Sequence, residues 1–281
     1  MNKIKIFVAC HKPCDVLHND VYIPIHVGRA ISKYQKEMAD MIGDDTGENI
    51  SEKNPYYSEM TAQYWAWKNV HDCKYIGFCH YRRFFEIDFD KVNVDEIFAA
   101  GIDVIIVGPI LRLEGRFHFL KNYVCSEDLS IMLLAIKKLY PEYYQDISDY
   151  ANDFIDYPLN MLVCKKSLFD EYAQWIFDIL FECEKHIKLS PYSRARRVYG
   201  YISEFLMPAF FKHKKSKMKV IKYRLSEENN LLRGGIPKQT LFKVRLSDFI
   251  FWRGLKKPAL SIDDAVKAGL LSDQIYKKEE I

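Results

Sequence analysis

The sequence predicts a protein of the α/β class in which helices cover a largely parallel central sheet. Apolar segments of strand length alternate along the chain with longer amphipathic segments of helical spacing. The strand segments are continuously apolar, as expected for strands that are covered on both faces. Of the 281 residues, 49% are hydrophobic and 15% are aromatic. This composition can bury a large core and excludes wholesale disorder.

The first half of the chain predicts two strands and one helix. A strand covers residues 3–9 and ends at a polar turn. Residues 14–55 are mostly irregular. Residues 58–70 carry helical spacing, with Ser58 as a candidate N-cap, and residues 75–79 form a short apolar strand.

The second half continues the alternation of helices and strands. The predicted elements are a helix at 94–100, a strand at 103–109, a helix at 127–139, a strand at 160–164, helices at 167–186 and 199–211, and a strand at 218–223. The composition changes after Arg224, where acidic, amide and Gly-Gly segments break the pattern. We therefore predict one domain over residues 1–225 and a C-terminal appendage over residues 226–281.

Charge and cysteine content narrow the class of protein. The net charge of +3 is too small to argue for a nucleic-acid binder, and no recognition motif is present. No stretch approaches the ~20 apolar residues that span a bilayer, and the N-terminus lacks a signal-peptide pattern. The seven cysteines have irregular spacing without a C-x-x-C pair, which argues against disulfides and zinc. A cytoplasmic location is expected.

Polar and basic residues follow the apolar strands where an open α/β sheet binds its ligands. His11 follows the first strand, and His80, Tyr81, Arg82 and Arg83 follow the strand at 75–79. Arginine forks bind phosphate oxygens bidentately, so this segment could hold a diphosphate. Strand periodicity would place His80 and Arg82 on one side and Tyr81 and Arg83 on the other. The alternative is that the arginines pair with nearby surface carboxylates such as Glu86 and Asp88.

Two further segments are candidates for ligand binding. Residues 44–54 are dense in carboxylates and amides, including Asp44, Asp45 and Asn49, which could hydrogen-bond a ribose, a base or sugar hydroxyls. The alternative is an ordinary solvated turn. On the helix at 58–70, Glu59 and Gln63 lie one turn apart and could address one ligand, although a purely structural role is equally open.

A lone carboxylate, Glu204, lies within an apolar helical segment. Partial burial would raise its pKa, as a general base for an acceptor hydroxyl requires. The alternative is a structural glutamate paired with an arginine of residues 194–197.

The sequence Asp88-Phe89-Asp90 matches a metal-binding Asp-x-Asp motif, but it lies several residues past the end of the predicted strand. We therefore expect no obligatory metal, with Mg²⁺ or Mn²⁺ left open.

Three blocks of the sequence resemble bacterial capsular and exopolysaccharide biosynthesis proteins that carry the domain of unknown function 4422. These blocks are residues 49–61, 64–69 and 77–85, and the family's later blocks match at Asn160-Met161, at Tyr172, Trp175 and Phe177, and at Tyr201 with Glu204. The resemblance covers roughly residues 3–225, and its specific blocks are Trp-Ala-Trp-Lys-Asn at 65–69 and His-Tyr-Arg-Arg at 80–83. It implies a GT-A-like, Rossmann-related nucleotide-sugar transferase fold, and some members are linked with galactofuranose transfer from UDP-galactofuranose. The resemblance concentrates function on Glu59, Trp65, Lys68, Asn69, His80, Arg82, Arg83 and Glu204.

Together, the residues and the resemblance predict a glycosyltransferase. It would move a hexosyl or hexofuranosyl unit from a UDP-sugar to a lipid-linked oligosaccharide in capsule, exopolysaccharide or O-antigen synthesis, with Glu204 or Glu59 as base. The basic residues of 212–224 could contact an anionic membrane surface, or could be a solvated basic face. Two alternatives remain open: a sugar-phosphate transferase that uses a nucleotide-sugar, and a non-catalytic polysaccharide-assembly binding protein.

Overall fold

The protein is described by a computed structural model over residues 3–112 and 115–225, without the side chain of His118. The predicted appendage at 226–281 lies outside these residues. The domain boundary therefore stays a prediction.

The described chain contains eleven strands in two sheets. In chain order they are β1 (Ile4–Cys10), β2 (Tyr22–His26), β3 (Ile42–Gly43), β4 (Tyr75–His80), β5 (Arg83–Phe85), β6 (Val104–Val107), β7 (Ile110–Leu111), β8 (Ile155–Asp156), β9 (Leu162–Lys165), β10 (Met218–Ile221) and β11 (Tyr223–Leu225). The strands β7 and β8 form a separate antiparallel pair.

The nine remaining strands form one mixed sheet in the order β10-β6-β9-β4-β1-β2-β3, with β5 paired to β4 and β11 paired to β5. Within this described sheet, β9 and β5 run against their neighbours, and the other strands share one direction. The predicted α/β class with a mostly parallel central sheet is confirmed. Because β1, β2 and β4 are parallel, their carboxyl ends meet at one edge.

Nine helices are assigned along the described chain. They are α1 (Asn54–Tyr57), α2 (Met60–Asn69), α3 (Val94–Ala99), α4 (Arg116–Leu120), α5 (Ser126–Leu139), α6 (Tyr144–Ala151), α7 (Lys166–Glu184), α8 (Ser193–Arg196) and α9 (Val198–His213).

The core lies on both faces of the sheet. On one face, α5, α7 and α9 pack together, and buried aromatic rings such as Tyr172 and Phe210 fill the space between them. On the other face, Phe98 of α3 stacks on Tyr75 of β4 with ring centroids 4.6 Å apart. Central strands such as β6 are buried along their whole length, which explains their unbroken apolar sequence.

The strand β2 is missing from the sequence-based prediction, which treats residues 14–55 as mostly irregular. Pro24 lies inside β2 and is paired with Val8 of β1. On the opposite side, β3 pairs only with Ile25 and His26, so Pro24 faces no partner strand there. A proline without a ladder hydrogen bond is tolerated at such a position, but it lowers the strand signal in the sequence.

The start of the second helix also differs from the prediction. Ser58 is not its N-cap: it has a positive φ of 54° and ends α1, whereas α2 begins at Met60 after Glu59. The Ser58 hydroxyl instead accepts a hydrogen bond from Arg197 Nε at 2.9 Å. The short helices α4 and α6 and the strand β5 are likewise absent from the prediction.

Candidate active site

The segment of His80 to Arg83 forms a tight β-hairpin. His80 ends β4, Tyr81 and Arg82 form the turn, and Arg83 begins β5 and pairs with His80. The strand alternation predicted for these residues is therefore wrong, because the chain reverses at Tyr81. All four side chains line one cleft instead of pointing to two sides of the sheet.

This cleft, which we call the basic cleft, lies at the carboxyl ends of β1, β2 and β4 and has a volume of about 670 Å³. That is the place where an open α/β sheet binds its ligands. The structure brings together six predicted site residues in its wall. The basic cleft is lined by Ala9, His11, Val27, Asn54, Pro55, Ser58, Glu59, His80, Tyr81, Arg82, Arg83, Leu159, Ser193, Arg196, Arg197 and Glu204.

Positive charge converges in the basic cleft. The pKa of His11 is lowered by burial and then by the charges of Lys12, Arg197, Arg82 and His80. The ammonium of Lys12 and the guanidiniums of Arg197 and Arg82 therefore lie close enough to His11 to disfavour its protonation. Such a cluster attracts a polyanion, because a bound diphosphate would relieve the repulsion.

The basic cleft also contains Arg196 and Arg197, which the sequence analysis considers only as ion-pair partners of Glu204. Neither arginine forms an ion pair with Glu204. Arg197 donates to Ser58, and Arg196 donates to the carbonyl oxygens of Ser190 and Pro191 at 3.1 and 3.0 Å. Their approach to the cleft depends on α8 packing against α1, a long-range contact without a local signal.

The arginines of the hairpin are not held by surface carboxylates. Asp88 forms its ion pairs with Arg224 and Lys91. Arg82 is exposed and lies over the Tyr81 ring, 4.9 Å from its centroid. The Arg83 Nε is buried without a hydrogen-bond partner in the part of the chain that is described. A buried donor of this kind is suited to a ligand oxygen.

Glu204 lies on α9 at the back of the basic cleft. Burial, and then the negative charge of Glu59, raise the pKa of Glu204 to about 7, while a hydrogen bond to the Leu159 backbone acts in the opposite direction. No ion pair of Glu204 is found among the described side chains. At neutral pH this carboxyl can accept and release a proton, as a general base must.

The segment before β9 connects these groups. Leu159 and Asn160 both have positive φ angles, 85° and 46°. His80 Nε2 donates to the Leu159 carbonyl at 2.7 Å, and Asn160 Nδ2 donates to Glu59 Oε1 at 2.8 Å and to Ser203 Oγ at 3.1 Å. Asn160 therefore fixes the position of Glu59 against α9. Asparagine tolerates the left-handed conformation, which is the only local signal of this role.

Three predicted nucleotide-sugar ligands, Asp44, Asp45 and Asn49, do not line the basic cleft. Asp44 is fully buried and accepts hydrogen bonds from the backbone N–H groups of Gly28 and Arg29 at 2.8 and 3.1 Å. Asp45 pairs with Arg29 at 3.8 Å. Asn49 donates to the Gly47 carbonyl and thus closes its own turn.

The predicted residues of α2 contact this same loop. Trp65 Nε1 donates to Thr46 Oγ1 at 2.9 Å, and Lys68 pairs with Glu48 at 3.3 Å. Asn69 Nδ2 donates to the Glu48 carbonyl at 2.9 Å. The structure thus groups these residues with the Asp44–Asn49 loop and apart from the cleft, and a ligand-binding role for them stays a prediction.

The candidate metal ligands of the sequence, Asp88 and Asp90, lie outside the lining of the basic cleft. Along residues 3–112 and 115–225, no group of three His, Cys, Asp or Glu side chains is placed to hold a metal ion. Asp88 pairs with Arg224, and Asp90 accepts from Asn19 at 3.2 Å, both outside the cleft lining. Metal independence stays a prediction.

The basic residues at 212–224 are partly neutralised. Lys212 pairs with Asp153 at 3.0 Å, Lys214 with Glu171 at 2.8 Å, and Arg224 with Asp88. This pairing reduces the charge available to a membrane surface. Among the described helices, none has the length and apolarity to cross a bilayer.

The sheet order and the basic cleft at its carboxyl edge define a Rossmann-related α/β protein. Residues 5–215 match the family model described as Domain of unknown function (DUF4422), and the chain belongs to this family. No curated protein matches the chain. A solved structure described as the apo form of the WbbM bifunctional glycosyltransferase matches with a TM-score of 0.68 and 28% sequence identity.

The match with WbbM covers 84% of this chain and 47% of that chain, so the chain spans about half the length of WbbM. The family model confirms the predicted family, and the likeness to WbbM confirms the predicted GT-A-like fold.

Proposed function

We propose that the protein is a glycosyltransferase that moves a sugar from a nucleoside diphosphate sugar onto a glycan acceptor. The observation that carries this proposal is the basic cleft, in which four arginines and two histidines lie around a carboxyl group, Glu204, at the carboxyl edge of a Rossmann-related sheet. The likeness to WbbM, a bifunctional glycosyltransferase, supports the class of reaction.

The charge of the basic cleft suits a nucleoside diphosphate. Its lining holds Arg82, Arg83, Arg196 and Arg197 against two carboxylates, Glu59 and Glu204. Guanidinium groups hold phosphate oxygens in fixed geometry and stabilise negative charge that develops on a leaving diphosphate. Within the described residues, the Nε of Arg83 is buried without a hydrogen-bond partner and is therefore a donor available to a phosphate oxygen.

Glu204 is the proposed general base. In the transfer, a hydroxyl oxygen of the acceptor forms a bond to the anomeric carbon of the donor sugar, and the bond from that carbon to the phosphate oxygen breaks. The electron pair leaves with the nucleoside diphosphate, and the hydroxyl proton moves to Glu204. Burial, and then the charge of Glu59, which is held by Asn160, raise the pKa of Glu204.

We extend the proposal to UDP as the nucleotide, a hexosyl or hexofuranosyl unit (galactofuranosyl among them) as the transferred sugar, and a lipid-linked oligosaccharide as the acceptor in surface-polysaccharide synthesis. These assignments follow from the family resemblance of the sequence blocks. The protein would act in the cytoplasm, next to the inner face of the membrane that carries the acceptor. We propose that no divalent metal is obligatory, because the arginines of the basic cleft would neutralise the diphosphate, and Mg²⁺ or Mn²⁺ is left open.

The test is a product assay with a panel of nucleotide-sugars. A thermal-shift screen of UDP, GDP and CMP compounds selects the donor class, and mass spectrometry then identifies the released nucleotide in the presence of a membrane extract, with and without a chelator. Release of UDP with transfer of the sugar supports the proposal. Release of UMP would instead indicate sugar-phosphate transfer, and stabilisation by none of the nucleotides would favour a non-catalytic role.

A further inference from the structure

A second cavity, of about 380 Å³, opens beside the basic cleft, and we call it the aromatic cavity. The two share Arg83, Leu159 and Glu204. The aromatic cavity is lined by Arg83, Ile110, Arg112, Arg116, Phe119, Leu120, Tyr123, Asp156, Pro158, Leu159, Tyr201, Glu204, Phe205 and Tyr223. Any ligand in it therefore lies next to the proposed base.

Half-buried aromatic rings form the wall of this cavity. Phe119, Tyr123, Tyr201 and Tyr223 are all partly accessible and line the cavity. The guanidinium of Arg112 lies over the Phe119 ring and that of Arg194 over the Tyr123 ring, 3.5 and 4.7 Å from the ring centroids, so a ligand would contact the parts of these rings that face the cavity. The centroids of Tyr123 and Tyr201 lie 4.8 Å apart at an interplanar angle of 38°, and those of Phe119 and Tyr123 lie 5.3 Å apart. Rings of this kind offer flat apolar surface together with hydroxyl groups at the rim, which matches the apolar face and the hydroxyls of a sugar ring.

Fixed polar groups form another side of the same cavity. Arg112 Nε and Arg116 Nη2 hold the two oxygens of Asp156 at 3.1 and 2.9 Å. Arg116 is 3% exposed, and its Nη1 is buried without a hydrogen-bond partner in residues 3–112 and 115–225. An unpartnered buried N–H is costly unless a ligand satisfies it. A sugar hydroxyl oxygen is an acceptor of the right size.

The charge of the aromatic cavity separates it from the diphosphate site. Its three arginines are opposed by Asp156 and Glu204, and two of the three are already engaged by Asp156. Arg83, the third arginine, also faces the basic cleft. With Glu204 ionised, the three arginines and two carboxylates leave a net charge of only about +1, so the cavity can take a hydroxyl-rich, uncharged ligand.

We propose that the aromatic cavity binds the terminal sugar of the acceptor glycan, stacked on Tyr123 and Tyr201 with one hydroxyl directed to Glu204. This inference rests on the proposed function and adds the class and place of its second substrate. Tyr201 and Glu204 lie three positions apart on α9, so they share one face of that helix, and a sugar against Tyr201 is adjacent to the base.

The test uses saturation-transfer difference NMR on the full chain with UDP present. The probes are the neutral methyl glycosides of galactose, glucose and rhamnose, together with methyl glucuronide as an acidic counterpart. Tyr123→Ala and Tyr201→Ala should each weaken glycoside binding by about three- to tenfold, since each removes one stacking surface. Tyr123→Phe keeps the ring and should retain most of the binding.

The matched control is Tyr192→Ala, because Tyr192 is 77% exposed and lines neither cavity. It should leave glycoside binding unchanged, and none of these variants should change the affinity for UDP. The inference is overturned if no neutral glycoside binds, if UDP displaces the glycosides, if methyl glucuronide binds and the neutral probes do not, or if the two alanine variants bind as the native chain does. Ring-dependent glycoside binding without any UDP binding would refute the proposed function and leave the sugar site standing.

Discussion

Replacement of Arg83 by alanine should weaken UDP binding strongly without affecting the fold. Arg83 lies between the two cavities, and its Nε makes no hydrogen bond within the described chain. A hydrogen bond to a charged group contributes about 1.5–3 kcal/mol. The dissociation constant for UDP should therefore rise about 10- to 150-fold.

The assay is isothermal titration calorimetry with UDP, accompanied by thermal unfolding. Because no protein carboxylate loses a partner, the melting temperature of Arg83→Ala should stay close to the native value. Arg224→Ala is the matched control: Arg224 lies on the neighbouring strand β11, pairs with Asp88 and lines neither cavity. UDP affinity equal to the native value in Arg83→Ala would refute the diphosphate assignment.

Three further predictions follow from the site and its surroundings. With Glu204 as base, kcat/KM should fall about tenfold per pH unit below pH 7, because protonation removes the base, and a pH profile flat from 5.5 to 8 would contradict this role. Glu204→Gln should lower kcat by about 10²–10⁴-fold while UDP binding is retained. Asp44→Ala should lower the free energy of unfolding in urea by about 3 kcal/mol, because it orphans buried N–H donors; a folded variant that binds UDP more weakly would instead support the nucleotide contact expected from its sequence. Flotation with anionic vesicles should show only weak, salt-sensitive binding through residues 212–224, and strong binding that persists in high salt would argue against an electrostatic contact.

The elements that the sequence predicts best are those whose burial leaves a strong local pattern. The strands β1, β4 and β6 are continuously apolar because both faces of the sheet are covered, and α7 carries a long amphipathic spacing. The strand-end rule then places His11 and His80 at one edge, and the structure confirms that placement within the basic cleft.

The parts that the sequence does not predict depend on conformation without a residue signature. The turn at Tyr81-Arg82 contains no Gly, Pro, Asn or Asp, so the local sequence carries no turn signal that would predict the hairpin. The positive φ of Leu159 cannot be predicted from the sequence either, because leucine rarely adopts this conformation.

The role of a loop rich in polar residues, ligand binding or support of the fold, is also ambiguous when only its sequence is known. The Asp44–Asn49 segment has the composition expected of a ligand-binding loop, yet the carboxylate of Asp44 is occupied by the backbone of Gly28 and Arg29. Whether a carboxylate holds the chain or a ligand depends on where distant N–H groups lie. That information is absent from the local pattern.

The reversed direction of β9 has a consequence for how this site can be altered. Because β9 runs against β4, Leu162 at its start is paired with Phe78 near the end of β4, so the connection entering β9 arrives at the same rim as the connections leaving β1 and β4. That connection, between α6 and β9, supplies Asp156, Pro158 and Leu159 to the cavity walls. Residues inserted there would reshape the basic cleft and the aromatic cavity together, while the pairing within the large sheet would not need to change.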